Sequence, residues 1–255
     1  MKKNKAHHFK SCASAILAAV LLVIIIPNVT EAGNILEIGK FSALLSGQEF
    51  PQEWKPLVFK KIKTHTDYRL VVEANKTVVV AKSHGGASGL VRRIQVDLKS
   101  YPVIRWRWKV TATYPKGDIS KKSGDDLPAR IYIMFKYNPD HVGFFERAVY
   151  RTMKAFYGAY PPIDAINYVW ASHMPVGTIA SNPYTSKLKF IVVQSGNRNL
   201  GKWITETRNI YEDYKKAFGN EPPMISGIAI MTDTDNTNSS ALTYYGDIEF
   251  LANRK

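Results

Sequence analysis

Cysteine is almost missing from this chain, which contains only one, Cys12, among 255 residues. Disulfide bonds and thiol catalysis are therefore excluded for the part of the chain that follows it. No His-x-x-x-His spacing occurs after residue 32, and no Gly-x-Ser-x-Gly motif occurs anywhere. A zinc site and a serine-hydrolase nucleophile thus have no support, and stability must come from a packed core.

Acidic residues are also scarce, with 21 Asp and Glu against 35 Lys and Arg and a formal net charge of +14. This surplus predicts an anionic partner, such as a glycan or another envelope component, or it serves solubility alone. The basic residues are scattered in small groups and form no tract typical of nucleic-acid-binding arms. We therefore expect no nucleic-acid partner.

Only one long apolar run is present, at residues 13–26, and lysines at positions 2, 3, 5 and 10 precede it. It is shorter than the roughly 20 residues of a membrane-spanning helix. With Thr30 and Ala32 as small residues before a cleavage point, it predicts a signal peptide over residues 1–32. An uncleaved anchor is the alternative. We expect a periplasmic or secreted protein that touches the membrane only through this segment.

The remaining 223 residues carry a net charge of +11, because four lysines and Glu31 leave with the signal segment. They show short alternating runs bounded by turn residues. Two segments, 144–157 and 206–218, have helical periodicity. The pattern predicts one domain over residues 33–255, a mainly β, antiparallel, jelly-roll-like β-sandwich with two helical insertions. The predicted strands are residues 35–41, 68–73, 77–81, 90–98, 103–111, 131–137, 187–194, 228–232 and 242–251.

The strand at residues 103–111 should present two different faces, because side chains alternate along a strand. Its Ile and Trp residues form an apolar face that belongs in the core. Arg105 and Arg107 share the other face, which is either solvated or the floor of a ligand groove. Aromatic residues near predicted loops are candidates for stacking on a sugar, among them Tyr160, Tyr168, Trp170, Tyr184 and Trp203, although most aromatic residues lie in cores. We select Trp170 with the two arginines as candidate ligand-binding residues.

A polar loop at residues 233–237 supplies side-chain oxygens from Asp233, Asp235 and Asn236. Such oxygens suit Ca²⁺, which takes about 6–8 oxygen ligands, so Asp233 and Asp235 are candidate metal ligands. An Asx turn and a polar ligand site are the alternatives. An EF-hand is excluded, because Asn238 stands where its glycine belongs and Tyr244 where its last carboxylate belongs. No other cofactor is indicated.

A second acidic loop contains Asp125 and Asp126, shortly before Arg130. These three residues and Asp233 are the catalytic candidates, because a glycosidase needs two carboxyl groups about 5–10 Å apart. The structural alternative is a simple ion pair between Arg130 and Asp125 or Asp126.

Several longer motifs resemble an exported bacterial family, the domain of unknown function DUF3047. They include GDDLPARIYIMF at 124–135, INYVWAS at 166–172 and EDYKKAFGNEPPMISGIAIMTDTDNT at 212–237. The resemblance implies no known activity. The opening ILEIGKFSA and the closing YYGDIEF are similar to galactose-binding-like jelly rolls of carbohydrate-binding modules. That similarity implies a β-sandwich, a glycan ligand and a structural role for Asp247 in holding a neighbouring loop.

Three hypotheses about function follow from these residues. The first is an exported, envelope-associated protein that binds a glycan or another polar or anionic ligand. The second is a hydrolase or lyase that acts on polysaccharide through the acidic loops. The third is a structural envelope protein without a ligand.

Overall fold

The computed structural model describes residues 34–138, 147 and 162–253. The predicted signal segment and, apart from Arg147, the predicted helix 144–157 lie outside these residues. Thirteen strands and one α-helix are described. They are β1 Ile35–Gly39, β2 Trp54–Leu57, β3 Asp67–Glu73, β4 Lys76–His84, β5 Ala87–Val96, β6 Val103–Val110, β7 Ala129–Phe135, β8 Ala165–Ala171, β9 Ile179–Asn182, β10 Thr185–Ser195, β11 Ile204–Asn209, α1 Ile210–Phe218, β12 Ile225–Asp233 and β13 Ser240–Leu251.

The strands form two sheets, as predicted for a sandwich. The first has the order β11-β6-β13-β4-β3, with β1 paired to β13, and the second has the order β2-β5-β12-β7-β8-β10-β9. Pairing is antiparallel except between β8 and β10, which run parallel. Loops therefore carry the chain repeatedly from one sheet to the other, as in jelly rolls.

The shared core lies between the sheets and is rich in aromatic residues. On β6, Ile104, Trp106, Trp108 and Val110 are all at most 1% exposed, which confirms the predicted apolar face. The ring of Trp106 lies 5.3 Å from that of Tyr168, and the ring of Trp108 lies 6.2 Å from that of Trp170. These contacts join β6 of the first sheet to β8 of the second.

The predicted helix at residues 206–218 begins later than expected. Residues Ile204–Asn209 are strand β11, which pairs with β6. The helix starts at Ile210, where the Asn209 side chain accepts a hydrogen bond from the Glu212 amide. It ends at Gly219, whose φ of 77° is left-handed. Ile204, Thr205 and Thr207 are β-branched, and such residues favour a strand over a longer helix.

Asp247 has the structural role that the sequence predicts. It lies in a break of the β13–β6 register, next to Gly246. Its carboxylate accepts hydrogen bonds from the Ser42 amide, at 2.8 Å, and from the Ser42 hydroxyl, at 2.5 Å. The last strand thereby holds the 3-10 turn that follows β1.

Residues Ala32–Lys255 form one compact unit. The unit contains both sheets and their described core, and a compact unit with its own core can in principle fold alone. Among the described residues, no helix is long and apolar enough to cross a bilayer.

Candidate functional site

The predicted catalytic residues meet around one buried guanidinium. Arg130 lies at the start of β7 and is 2% exposed. Its Nε donates to Asp233 Oδ1 at 2.9 Å, and a second nitrogen donates to the other oxygen of Asp233. That second nitrogen also donates to the Asp125 carbonyl at 2.6 Å, and the Asp125 carboxylate lies 3.2 Å from the guanidinium. Arg130 thus ties the end of β12 to the loop before β7.

Asp126 holds the polar loop at residues 233–237 through hydrogen bonds. One of its oxygens accepts hydrogen bonds from the Asn236 amide at 3.1 Å and from the Asn236 side chain at 3.3 Å. The other oxygen accepts from the Thr237 amide at 2.5 Å and from the Thr237 hydroxyl at 2.6 Å. Asp126 itself is fully buried. Its carboxylate therefore supports the 233–237 turn and has no free oxygen to offer a substrate.

We call Arg130, Asp125, Asp126, Asp233 and Asp235 the Arg130 cluster. The cluster contains four carboxyl groups and one guanidinium, which contacts Asp125 and Asp233, so the ionised cluster carries an excess of negative charge. Burial and repulsion from Asp126 and Asp125 raise the pKa of Asp233 well above its ordinary value, although Arg130 opposes this. Burial and Asp126 also raise the pKa of Asp235. Burial lowers the pKa of Arg130, but attraction to Asp233 and Asp125 outweighs it and keeps the guanidinium charged.

The Arg130 cluster contains Asp233 and Asp235, the two predicted metal ligands, and its geometry limits that function. Carboxylate oxygens of Asp126, Asp233 and Asp235 lie within 4.8 Å of one another. Both oxygens of Asp233 already accept from Arg130, and Oδ1 also accepts from the Leu127 amide at 3.0 Å. A metal ion would have to displace these donors.

A cleft of about 790 Å³ lies beside the Arg130 cluster. Its walls come from the loop at residues 115–124, from residues 171–174 after β8, and from Leu127 and Asn236. Leu127 and Asn236 belong to the two loops that the Arg130 cluster joins. The cluster therefore fixes one wall of the cleft, although its buried carboxylates do not face a ligand.

The loop at residues 115–124 is fastened to the outer face of the second sheet. Ile119 and Leu127, each at most 2% exposed, pack with Val169 and Phe190 in a small apolar cluster of their own. Asp118 accepts hydrogen bonds from the Ser120 amide and hydroxyl and pairs with Lys121. The hydrogen bonds to Ser120 and Lys121 lower the pKa of Asp118 to about 2.

The far side of the cleft is held in a similar way. Ser172 accepts a hydrogen bond from the Tyr114 amide at 3.1 Å. His173, which is exposed, lies with its Nε2 at 3.1 Å from the Pro115 carbonyl. Both walls are therefore held by contacts within the protein.

Tyr184 stands next to this cleft with 57% of its surface exposed. Its hydroxyl donates to the Lys122 carbonyl at 3.2 Å, and its amide donates to the Asn182 side chain. Asn182 in turn donates to the Asp125 carboxylate at 2.9 Å. Burial and the charges of Asp125 and Asp235 raise the pKa of Tyr184, so the ring lies within the field of the Arg130 cluster.

The other predicted ligand residues lie elsewhere. Trp170 is completely buried and donates to the Gly196 carbonyl, so its selection as a ligand-binding residue is corrected. Arg105 pairs with Glu249, and Arg107 stacks at 4.4 Å over Trp203, on the outer face of the first sheet. The Arg130 cluster is built on the second sheet. The structure does not bring the two arginines and the acidic loops into one groove.

Sequence reasoning missed most of the cleft. Of the predicted ligand residues, Asn236 lines it, whereas Ser120, Lys121, Ser172 and His173 were not selected. One signal was available. Between the strands predicted at 103–111 and 131–137 lies a long connection rich in Gly, Ser, Asp and Lys. Long connections in compact domains are often functional.

The family model that matches residues 52–249 describes a protein of unknown function, DUF3047. The chain belongs to this family. The matched residues include the motifs at 124–135 and 212–237, which contain every member of the Arg130 cluster. No curated protein matches the chain.

Three solved structures with a similar fold illustrate the architecture at very low identity. A family 12 xyloglucanase from Bacillus licheniformis is 7% identical with a TM-score of 0.44, over 86% of this chain and 99% of that one. The carbohydrate recognition domain of Emp47p is 9% identical with a TM-score of 0.44, over 88% and 100%. The glycoside hydrolase domain of Endo-D from Streptococcus pneumoniae R6 is 9% identical with a TM-score of 0.31, over 79% of this chain. The chain spans 22% of that structure's length.

Proposed function

We propose that this protein binds a glycan in the cleft lined by residues 115–124, 171–174 and Asn236. The observation that carries the proposal is the cleft itself. Its volume of about 790 Å³ falls within the range of small-molecule sites. Its walls combine hydroxyl, amide, imidazole and charged groups with an apolar surface. A sugar offers the same combination of many hydroxyl groups and apolar ring faces.

Tyr184 supports this choice of ligand. Its exposed ring provides a flat apolar face for a sugar ring, while the Lys122 carbonyl holds its hydroxyl and the Lys122 ammonium lies over the ring at 5.2 Å from its centroid. Lys116 and Lys121 in the cleft wall outnumber Asp118 among its charged groups. The local charge therefore suits a neutral glycan or one that carries a carboxylate.

The hydrolase or lyase alternative requires carboxyl groups that a substrate can reach. Asp125, Asp126 and Asp233 are 7%, 0% and 3% exposed. Donors within the protein occupy the oxygens of Asp126 and Asp233, and Asp125 has one oxygen bound to Asn182 and the other in an ion pair with Arg130 at 3.2 Å. Asp235 is more accessible, and Asp118 lies in the cleft wall but is bound by Ser120 and Lys121. A glycosidase needs two carboxyl groups that the substrate can reach. The geometry thus supports binding without turnover. We also propose that binding takes place outside the cytoplasm, in the periplasm or after secretion, because residues 1–32 have the pattern of a signal peptide.

A glycan array followed by calorimetry tests the proposal. The wild type is compared with Lys116→Ala and Tyr184→Ala, whose side chains are exposed and carry no part of the core. We expect each substitution to weaken binding by roughly tenfold, since one stacked ring or one charged hydrogen bond is worth about 1–1.5 kcal/mol. Lys82→Ala on β4 is the matched control and should bind normally. If the wild type binds no glycan, or if all variants bind equally, the cleft is not a glycan site.

A further inference from the structure

The loop between β2 and β3 combines apolar and basic side chains at the surface. We call residues 58–65 the basic loop. Val58 is 53% exposed and Phe59 is 36% exposed, although they are large apolar residues at adjacent positions. Lys60, Lys61 and Lys63 are also exposed. Adjacent exposed apolar side chains rimmed by polar residues are typical of interaction sites.

The lysines of this region have no acidic partner to neutralise them. Residues 55–65 contain four lysines and His65 but no aspartate or glutamate. In the part of the chain that the structure describes, no ion pair involves Lys55, Lys60, Lys61 or Lys63. The positive charge is therefore available to an external anion.

The fold holds this loop by its ends. At one end Leu57 pairs with Gly89 of β5. At the other end the Thr64 carbonyl accepts from the Ala87 amide at 3.1 Å, and Thr66 donates to the Thr232 carbonyl at 2.6 Å. Between them the Ile62 amide donates to the Phe59 carbonyl at 2.9 Å. This turn places Lys60 and Lys61 at the tip, directly after the apolar pair.

The chemistry of the basic loop selects its partner. We propose that it binds the surface of an anionic lipid bilayer, with Val58 and Phe59 in the interface and the lysines on the headgroups. Lysines near an anionic surface each contribute attraction, and exposed apolar side chains enter the boundary between headgroups and acyl chains. An acidic polysaccharide offers the charge but no apolar phase for Val58 and Phe59. The proposal adds a second membrane contact to the one expected from residues 1–32, and it is independent of the glycan cleft.

Vesicle sedimentation tests this proposal with the chain that begins at Gly33, so that the apolar segment 13–26 cannot contribute. Vesicles of phosphatidylcholine alone are compared with vesicles that also contain phosphatidylglycerol. We expect binding to the anionic vesicles and a fall with rising salt. Each lysine near an anionic surface raises the affinity by about fivefold, so Lys60→Glu with Lys61→Glu should weaken binding by about 25-fold or more. Val58→Ser with Phe59→Ser should weaken it by roughly tenfold.

Matched controls lie at the opposite edges of the two sheets. Lys202→Glu with Lys216→Glu changes the net charge equally, next to β11 and on α1, and Val176→Ser removes a 61% exposed apolar residue near β9. Both should leave vesicle binding within about twofold of the wild type. Absence of binding to anionic vesicles overturns the proposal, and so does equal weakening by the control pair. If the Val58 and Phe59 substitutions change nothing and a soluble acidic polysaccharide binds the loop equally well, the partner is a polyanion and not a membrane.

Discussion

Replacing Arg130 by methionine removes the guanidinium of the Arg130 cluster but keeps a long apolar chain in its place. Asp233 then loses one donor to each of its oxygens and keeps only the Leu127 amide on Oδ1, and Asp125 loses its ion pair. Removing one partner of a buried pair costs about 3–5 kcal/mol, because the remaining charge stays buried without compensation. In a domain of this size each kcal/mol lowers the midpoint by about 2–4 °C, so we expect a fall of roughly 6–20 °C.

Urea denaturation of the wild type, Arg130→Met, Asp233→Asn and the double variant measures this effect. The losses of unfolding free energy in the two single variants, added together, should exceed the loss in the double variant by about 1–3 kcal/mol. Arg69→Met is the matched control, because its pair with Asp67 is 72% and 47% exposed and should contribute at most about 1 kcal/mol. A loss below about 1 kcal/mol for Arg130→Met, or strictly additive losses, would refute the structural role of the cluster.

Further predictions concern Asp118 in the cleft wall and the carboxylates of the Arg130 cluster. Asp118 has its pKa lowered to about 2 in the folded protein, so its contribution to stability is present above its ordinary pKa and disappears as the pH falls toward 2. Asp118→Asn should therefore flatten the stability curve between pH 4 and about 2, as a pH series of denaturation midpoints would measure. Asp235 has a raised pKa, so its ionisation opposes folding as the pH rises above its ordinary value. Asp235→Asn should raise the midpoint at pH 7, and a lower midpoint there would contradict the stated cause of the shift. Calcium and chelators should each leave the midpoint unchanged, since Arg130 occupies Asp233, whereas a calcium-dependent rise would restore the predicted metal site.

The sheet architecture was largely predictable, because apolar and polar residues alternate along a strand that buries only one of its faces. β6 shows this best, with Trp106 and Trp108 inside and Arg105 and Arg107 outside. Strand β8 was not predicted, because both of its faces are buried. Its inner face packs on the core, while Val169 and Ala171 on its outer face are covered by the loop at 115–124. A strand buried on both faces has no alternation, so Trp170 resembled a loop residue.

The candidate site was only partly predictable. The sequence indicated that Arg130 pairs with Asp125 or Asp126, and the pair with Asp125 is confirmed. Its stronger partner, Asp233, is 103 residues away, and only the pairing of β12 with β7 brings the two together. The cleft depends on a similar long-range contact, between the loop at 115–124 and the residues after β8. Local patterns carry no information about such pairings.

We propose that the cleft binds the ligand while the Arg130 cluster only supports its wall. This division of roles can be tested by titrating the isotope-labelled protein with an oligosaccharide from the array and following the amide chemical shifts. We expect the largest shifts on Ser120, His173, Tyr184 and Asn236, with small changes along β6. Largest shifts around Arg105 and Arg107, or no shift near the cleft, would contradict it.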